Sequence, residues 1–192
     1  TTLPAIAAEK AGVIKAGVPV FSAAQAPEVR EVLRAAAAEH GSRILFLDEQ
    51  LEQLEVALGG ESTEVLLQLR GEEPARYSLR LLGAHQAENA ALAHAALRQA
   101  LDLPEEALRR GFARASLPGR MERIGDRPPV LLDGAHTPLS VKRVAECFRA
   151  LYLRPGEGPG AAVLLFAAAA GKRVEAMAEI LAPQFRDIVI TT

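Results

Sequence analysis

Val130-Leu131-Leu132-Asp133-Gly134-Ala135-His136-Thr137-Pro138 is the stretch whose reading decides the fold. Three branched aliphatic residues read as an apolar strand, and Asp133-Gly134 ends it. Leu139 to Leu151 reads as the helix that follows. An acid between a strand's carboxyl end and the next helix lies where open α/β sheets bind ligands. There Asp133 can accept from a ribose hydroxyl, and His136 can meet a phosphate or a substrate. The other reading of Asp133 is a cap on its own turn.

Working outward, the same rhythm continues downstream. RPGEGPG (154–160) reads as a loop, Val163 to Phe166 as a strand, Val174 to Leu181 as a helix and Ile188 to Ile190 as a strand. That is β-α-β-α-β, a half-unit of a doubly wound sheet. Upstream, Leu117-Pro118-Gly119 breaks the chain, which puts a domain boundary near residue 118. Before the break, Asp102-Leu103-Pro104-Glu105 has capping-box spacing, and Leu108, Phe112 and Ala115 form the stripe of the helix it opens. Gln86 to Leu101 reads as an alanine-rich helix, and Thr63 to Leu69 with Ala75 to Leu82 as a β-hairpin. The first fifty residues read α-β-α-β. Thr2 caps a helix running to Ala11, Val18 to Phe21 is a strand, Pro27 to His40 is an amphipathic helix, and Ile44 to Leu47 is a strand.

Composition removes whole function classes. The 192 residues carry a net charge of −2 and are 49% apolar and 24% charged, an ordinary globular balance that argues against a basic nucleic-acid binder. One cysteine, Cys147, excludes an internal disulfide and reads as core. No apolar run reaches the roughly 20 residues that span a membrane. Alanine occurs 37 times and arginine outnumbers lysine 18 to 4, a bias of composition rather than of chemistry. The chain opens on Thr1-Thr2 with no Met and no signal-peptide pattern, which reads as the interior of a longer protein.

Other residues able to carry chemistry cluster in three places. Glu9-Lys10-Ala11-Gly12 ends a helix, and Lys10 there also suits the helix dipole alone. His85, Gln86 and Asn89 open a helix, either as caps or as ligand contacts, and Asn89 sits inside the helix where asparagine is disfavoured. Arg120 follows the Pro-Gly break, either as an exposed linker arginine or reaching a phosphate. Ala167 to Arg173 imitates a phosphate-binding loop, but Phe166 and Arg173 stand where G-x-x-x-x-G-K-[ST] needs Gly and Ser/Thr.

In their order, TLPAIAAEKAGVIK (2–15), LLGAHQAENAALA (81–93), LPGRMERI (117–124), VLLDGAHTP (130–138) and VLLFAAAAGKRVEAMAEIL (163–181) resemble the folylpolyglutamate synthase/dihydrofolate synthase family of the Mur-ligase superfamily. The resemblance implies an α/β fold: residues 1–118 as the end of a central ATPase domain, and 119–192 as an incomplete Rossmann-like C-terminal domain with a mostly parallel sheet. It implies a monomeric cytoplasmic ligase using ATP and Mg²⁺, which joins L-glutamate to a folate or dihydropteroate through an acyl phosphate, with no nucleic acid or membrane as partner. Lys10 matches the family's carbamylated lysine, a source of an oxygen ligand for Mg²⁺. Asn89, Arg120 and Asp133 match ATP contacts, and His136 matches the histidine of the D-x-A-H-N-P motif.

There are departures from the family pattern. Thr137 stands where the motif usually has Asn, and Gly171-Lys172-Arg173 replaces a D-K-D-like triplet. The family's phosphate loop and other Mg²⁺ ligands lie upstream of Lys10, so this piece alone is expected not to turn over. Two alternatives stand beside this reading: a non-catalytic nucleotide- or partner-binding remnant of the fold, and a Mur-type ligase for another substrate.

Overall fold

The structure is a computed structural model describing residues 2–101, 103–153 and 160–191. The expected cap at Asp102 and nearly all of the RPGEGPG loop lie outside the described residues. The elements run α1 (Leu3–Ala11), β1 (Val20–Ser22), α2 (Pro27–Glu39), β2 (Ile44–Phe46), α3 (Leu47–Gln50), β3 (Leu51–Leu58), β4 (Thr63–Leu69) and β5 (Ala75–Leu79). They continue with α4 (Ala84–Ala100), α5 (Glu105–Arg114), β6 (Glu122–Asp126), β7 (Pro129–Leu132), α6 (Pro138–Tyr152), β8 (Gly160–Ala167), α7 (Val174–Leu181), a 3₁₀ turn (Ala182–Gln184) and β9 (Phe185–Thr191). Strands β3, β4 and β5 form one sheet in that order. β1 pairs with β2, and β8 with β9, in parallel.

Most elements lie where the residues place them, and three do not. β3 and the short α3 were not expected, and neither was β6, which pairs antiparallel with β7 from Glu122 opposite Leu132. The expected apolar stripe of α5 shortens, because the helix ends at Arg114 and Ala115 is exposed beyond it. Leu108 does reach the core at 3% exposure.

The chain divides into two compact units. One holds Thr1–Glu55, Val65–Tyr77 and Ala87–Arg110; the other holds Val56–Glu64, Ser78–Gln86 and Gly111–Thr192. In the first, Thr2 Oγ1 caps α1 by accepting from Ala5 N–H, and Ala11 and Ile14 pack with Ala37 of α2. Arg30 and Arg34 of α2 lie over the Phe46 ring and pair with acids of α3, Arg30 with Asp48 and Glu49 and Arg34 with Glu49. The turn between β4 and β5 brings Glu72 to α4. There Glu72 Oε2 accepts from His94 Nε2 at 2.8 Å, and His94 Nδ1 meets Tyr77 Oη at 2.8 Å. His94 is 2% exposed, so both ring nitrogens need these partners. Burial first, then the hydrogen bond to Glu105 and its charge, holds the Tyr77 hydroxyl well above the ordinary tyrosine range.

In the second unit, Val141 and Ala145 of α6 pack with Phe166 of β8 and with Met177 and Leu181 of α7. Met177 is fully buried. A second cluster joins Leu82, Met121 and Cys147, with Leu131, Val144, Phe148 and Leu151 against it. Cys147 is buried, as its apolar helix face leads one to expect. Burial, and secondarily the Asp133 carboxylate, pushes its thiol up to about 11.

Two outcomes follow from this packing. Tyr77→Phe leaves His94 Nδ1 buried without its hydroxyl partner and is expected to cost roughly 1–3 kcal/mol, read as a lower urea midpoint; an unchanged midpoint would show that the bond contributes nothing. The native Cys147 thiol stays protonated at pH 8, so a thiol-disulfide reagent is expected to label it only on unfolding. Because its folded value is raised from 9.0, the stability it contributes is present below pH 9 and fades as pH climbs toward 11.

Candidate functional site

The chemistry-bearing residues of the second unit meet at two loops. One is the chain break, Leu117 to Met121; the other is Asp133 to Thr137, between β7 and α6. The first loop contains two left-handed residues. Gly119 has φ +67° and Met121 has φ +47°, so Arg120 lies between two left-handed residues. Glycine adopts that region freely, whereas methionine does so at a cost of about 1–2 kcal/mol. Met121 is held there by burial in the Cys147 cluster and by its N–H, which donates to Asp133 Oδ2 at 2.8 Å.

Asp133 ties both loops. Its Oδ1 accepts from Ala135 N–H at 2.7 Å, so each carboxylate oxygen holds a backbone amide. Hydrogen bonds to a charged acceptor are worth about 1.5–3 kcal/mol each. The turn-capping reading of Asp133 thus describes what its oxygens do here, and remaining lone pairs leave room for a hydroxyl donor. Gly134 N–H donates to Gly119 O at 2.8 Å, a second tie between the loops. Gly119 N–H donates to Glu122 Oε2 at 2.8 Å.

Arg120 is exposed, and its guanidinium lies over Gly134, where an added Cβ would sit 3.6 Å from Nη1. Among the described residues it makes no ion pair. His136 is also exposed, and its Nδ1 donates to Gly134 O at 3.0 Å. That bond fixes the tautomer, so the neutral ring presents Nε2 outward as an acceptor. Thr137 begins α6 with a reciprocal cap: its Oγ1 accepts from Ser140 N–H at 3.2 Å, and Ser140 Oγ accepts from Thr137 N–H at 3.0 Å. The structure therefore brings Arg120, Asp133 and His136 onto one pair of loops.

Lys10 and Asn89 belong to the first unit. Lys10 lies in the last turn of α1, 70% exposed, with Nζ 2.7 Å from Glu9 Oε1. This contact and the ammonium charge hold the Glu9 carboxyl below its ordinary value. Asn89 is exposed one turn into α4. The start of that helix is shaped by Gly83, whose φ of +117° suits only glycine. A Cβ there would meet His85 Cε1 at 2.7 Å. Gly83 N–H donates to the buried Thr63 Oγ1 at 3.0 Å, and Gln86 Nε2 lies 3.1 Å from His85 Nε2.

Two features complete the inventory of the site. The false phosphate loop leaves Lys172 and Arg173 exposed ahead of α7. Among the described residues, no three His, Cys, Asp or Glu side chains converge on a metal site, so they do not by themselves fit Mg²⁺. Glu122 and Ser140 take part in the loop geometry without having been singled out from the sequence. Ser140 was readable, since Thr137-x-x-Ser140 has the spacing of a reciprocal cap, whereas the bond from Glu122 back to Gly119 needs the loop's left-handed residues.

No family model matches the chain. A dihydrofolate synthase/folylpolyglutamate synthase of Bacillus subtilis is 36% identical over 155 residues, covering 77% of this chain and 36% of that protein. The solved structure of a Mycobacterium tuberculosis folylpolyglutamate synthase complexed with ADP and AMPPCP superposes with a TM-score of 0.82 at 28% identity, over 99% of this chain and 43% of that one. A further structure, an FPGS–AMPPCP–folate complex, gives a TM-score of 0.84 at 26% identity, over 99% and 46%. The chain thus spans between about a third and a half of the length of the proteins it matches. At 36% identity over 77% of its length to such an enzyme, the chain belongs to the folylpolyglutamate synthase/dihydrofolate synthase family.

Proposed function

We propose that this chain is the end of the central domain (1–118) and much of the C-terminal domain (119–192) of an ATP-dependent ligase that joins L-glutamate to a folate or dihydropteroate. The observation that carries the reading is the superposition of 99% of the chain on a family member bound to AMPPCP and folate. An attacking carboxylate oxygen of the pterin substrate takes the γ-phosphoryl group of ATP, and the bond to the β-phosphate oxygen breaks to release ADP. The glutamate amine, having given up a proton, attacks the acyl carbon; the carbon–oxygen bond breaks, and phosphate leaves with an amide formed.

The residues of this chain have parts that fit that chemistry. Arg120, with no ion pair among the described residues and held by a braced loop, supplies positive charge to a phosphate. Asp133 takes a ribose hydroxyl on the lone pairs its amide bonds leave open, and Asn89 offers its amide to the nucleotide. His136 presents Nε2 toward phosphate or substrate, its tautomer set by Gly134 O. Mg²⁺, when bound, neutralises phosphate charge. To that ion a carbamate formed on the exposed Lys10 amine would offer an oxygen ligand. The chain has no G-x-x-x-x-G-K-[ST] sequence to cradle phosphates, so by itself it is not expected to turn over. The soluble, cytoplasmic and monomeric character implied by the family belongs to the same proposal; no helix among the described residues is long and apolar enough to cross a membrane.

The full-length protein is expected to release phosphate from ATP only when glutamate and a folate or dihydropteroate are both present. Release that ignores both pterins would reject the reading in favour of another Mur-type ligase, and no ATP turnover would favour a binding remnant. Lys10→Ala is expected to lower kcat at least about tenfold, with wild-type activity rising on addition of bicarbonate. Full activity of Lys10→Ala would remove the carbamate role.

A further inference from the structure

We infer that Glu122 is a positioning residue for Arg120, holding the loop that aims the guanidinium, and this rests on the reading of Arg120 as a nucleotide contact. Arg120 is presented by three consecutive loop residues, Gly119 to Met121, whose two flanking members are both left-handed. A loop with two left-handed residues in three keeps one shape only if its polar groups are held. Gly119 is held on both sides: its N–H donates to Glu122 Oε2 at 2.8 Å, and its carbonyl accepts from Gly134 N–H at 2.8 Å. Met121 N–H donates to Asp133 Oδ2 at 2.8 Å. Two carboxylates therefore stand beside an arginine, yet both bind backbone amides, and neither pairs with the guanidinium.

That arrangement separates two jobs. Glu122 is half-buried at the first position of β6, so its own place is set by pairing with β7 opposite Leu132. It reaches back three residues and fixes the loop from the strand side, while Asp133 fixes it from the α6 side. The Arg120 guanidinium lies over Gly134 and makes no ion pair among the described residues. A cation whose mount is stiff and whose face is open loses little freedom when an anion arrives. An acceptor oxygen at position 122 is what the loop needs; the charge itself is secondary. Glutamine keeps that oxygen and alanine does not.

The test uses the full-length protein and three variants, Glu122→Ala, Glu122→Gln and Arg120→Ala, with amide hydrogen exchange and AMPPCP titration in the presence of Mg²⁺. Glu122→Ala is expected to lower protection of the Gly119 amide and to raise the Kd for AMPPCP about tenfold, close to the effect of Arg120→Ala. Glu122→Gln is expected to restore both readouts. A merely structural Glu122 would move global stability without moving AMPPCP affinity. If Arg120→Ala weakens AMPPCP and Glu122→Ala does not, the positioning role is overturned while the reading of Arg120 stands. If Glu122→Gln fails as badly as Glu122→Ala, the hydrogen bond to Gly119 is not the cause and the inference is overturned. If Arg120→Ala leaves affinity unchanged, the nucleotide role of Arg120 fails and the inference falls with it.

Discussion

The second unit depends on one carboxylate. Asp133 stands at the end of β7, and its two oxygens bind the amides of Met121 and Ala135. One bond sets the path into α6, and the other pins a residue twelve positions earlier in an unfavourable backbone region. That second bond and burial together hold Met121 at φ +47°. Met121 is also a member of the cluster that buries Leu82 and Cys147. The same acid thereby links loop shape, core packing and the elevated thiol of Cys147. A single buried or half-buried charge does this economically because backbone amides are fixed in direction and satisfy the carboxylate without a counter-ion.

Much of this was legible in local sequence. VLLDGAHTP contains its own strand, turn and helix start, and each is decided by neighbours within four residues. The helices at Leu3–Ala11, Pro27–Glu39 and Val174–Leu181 were equally local, since apolar spacing and terminal Pro, Thr or Gly mark them. β3 was missed because LEQLEVAL mixes leucine and glutamate, good helix formers, and its alternation slips at Gln53-Leu54. β6 was missed because ERIGD has few apolar residues and is half-exposed; it is a strand only because β7 pairs with it. The stripe through Ala115 failed because helical spacing says nothing about where a helix stops.

The candidate site was readable to a different depth. Residue types at the strand end and after the Pro-Gly break picked out Asp133, His136 and Arg120. What they touch was not readable. The tautomer of His136 depends on a carbonyl two residues away, and the freedom of Arg120 depends on two acids choosing amides over it. Such choices are settled by backbone direction, which a pattern of letters does not contain. The Glu72–His94–Tyr77 chain is a similar case, since its three members come from a turn, a helix and a strand.

Thr137 shows why a departure from a family pattern need not signal lost function. The position usually carries Asn, and its backbone here is extended, φ −135° and ψ 154°, as an N-cap requires. Asn and Thr are both strong N-caps, because each offers a side-chain oxygen at the right reach. Thr137 uses that oxygen on Ser140 N–H, and Ser140 returns the bond. The exchange therefore conserves the start of α6, and with it the direction in which His136 leaves the loop. Gly171-Lys172-Arg173 is a different kind of departure. No contact in the described structure depends on acids at those positions, and the turn before α7 closes through backbone bonds from Lys172 to Ala169 and from Val174 to Lys172. In this chain the turn therefore closes without any acidic side chain.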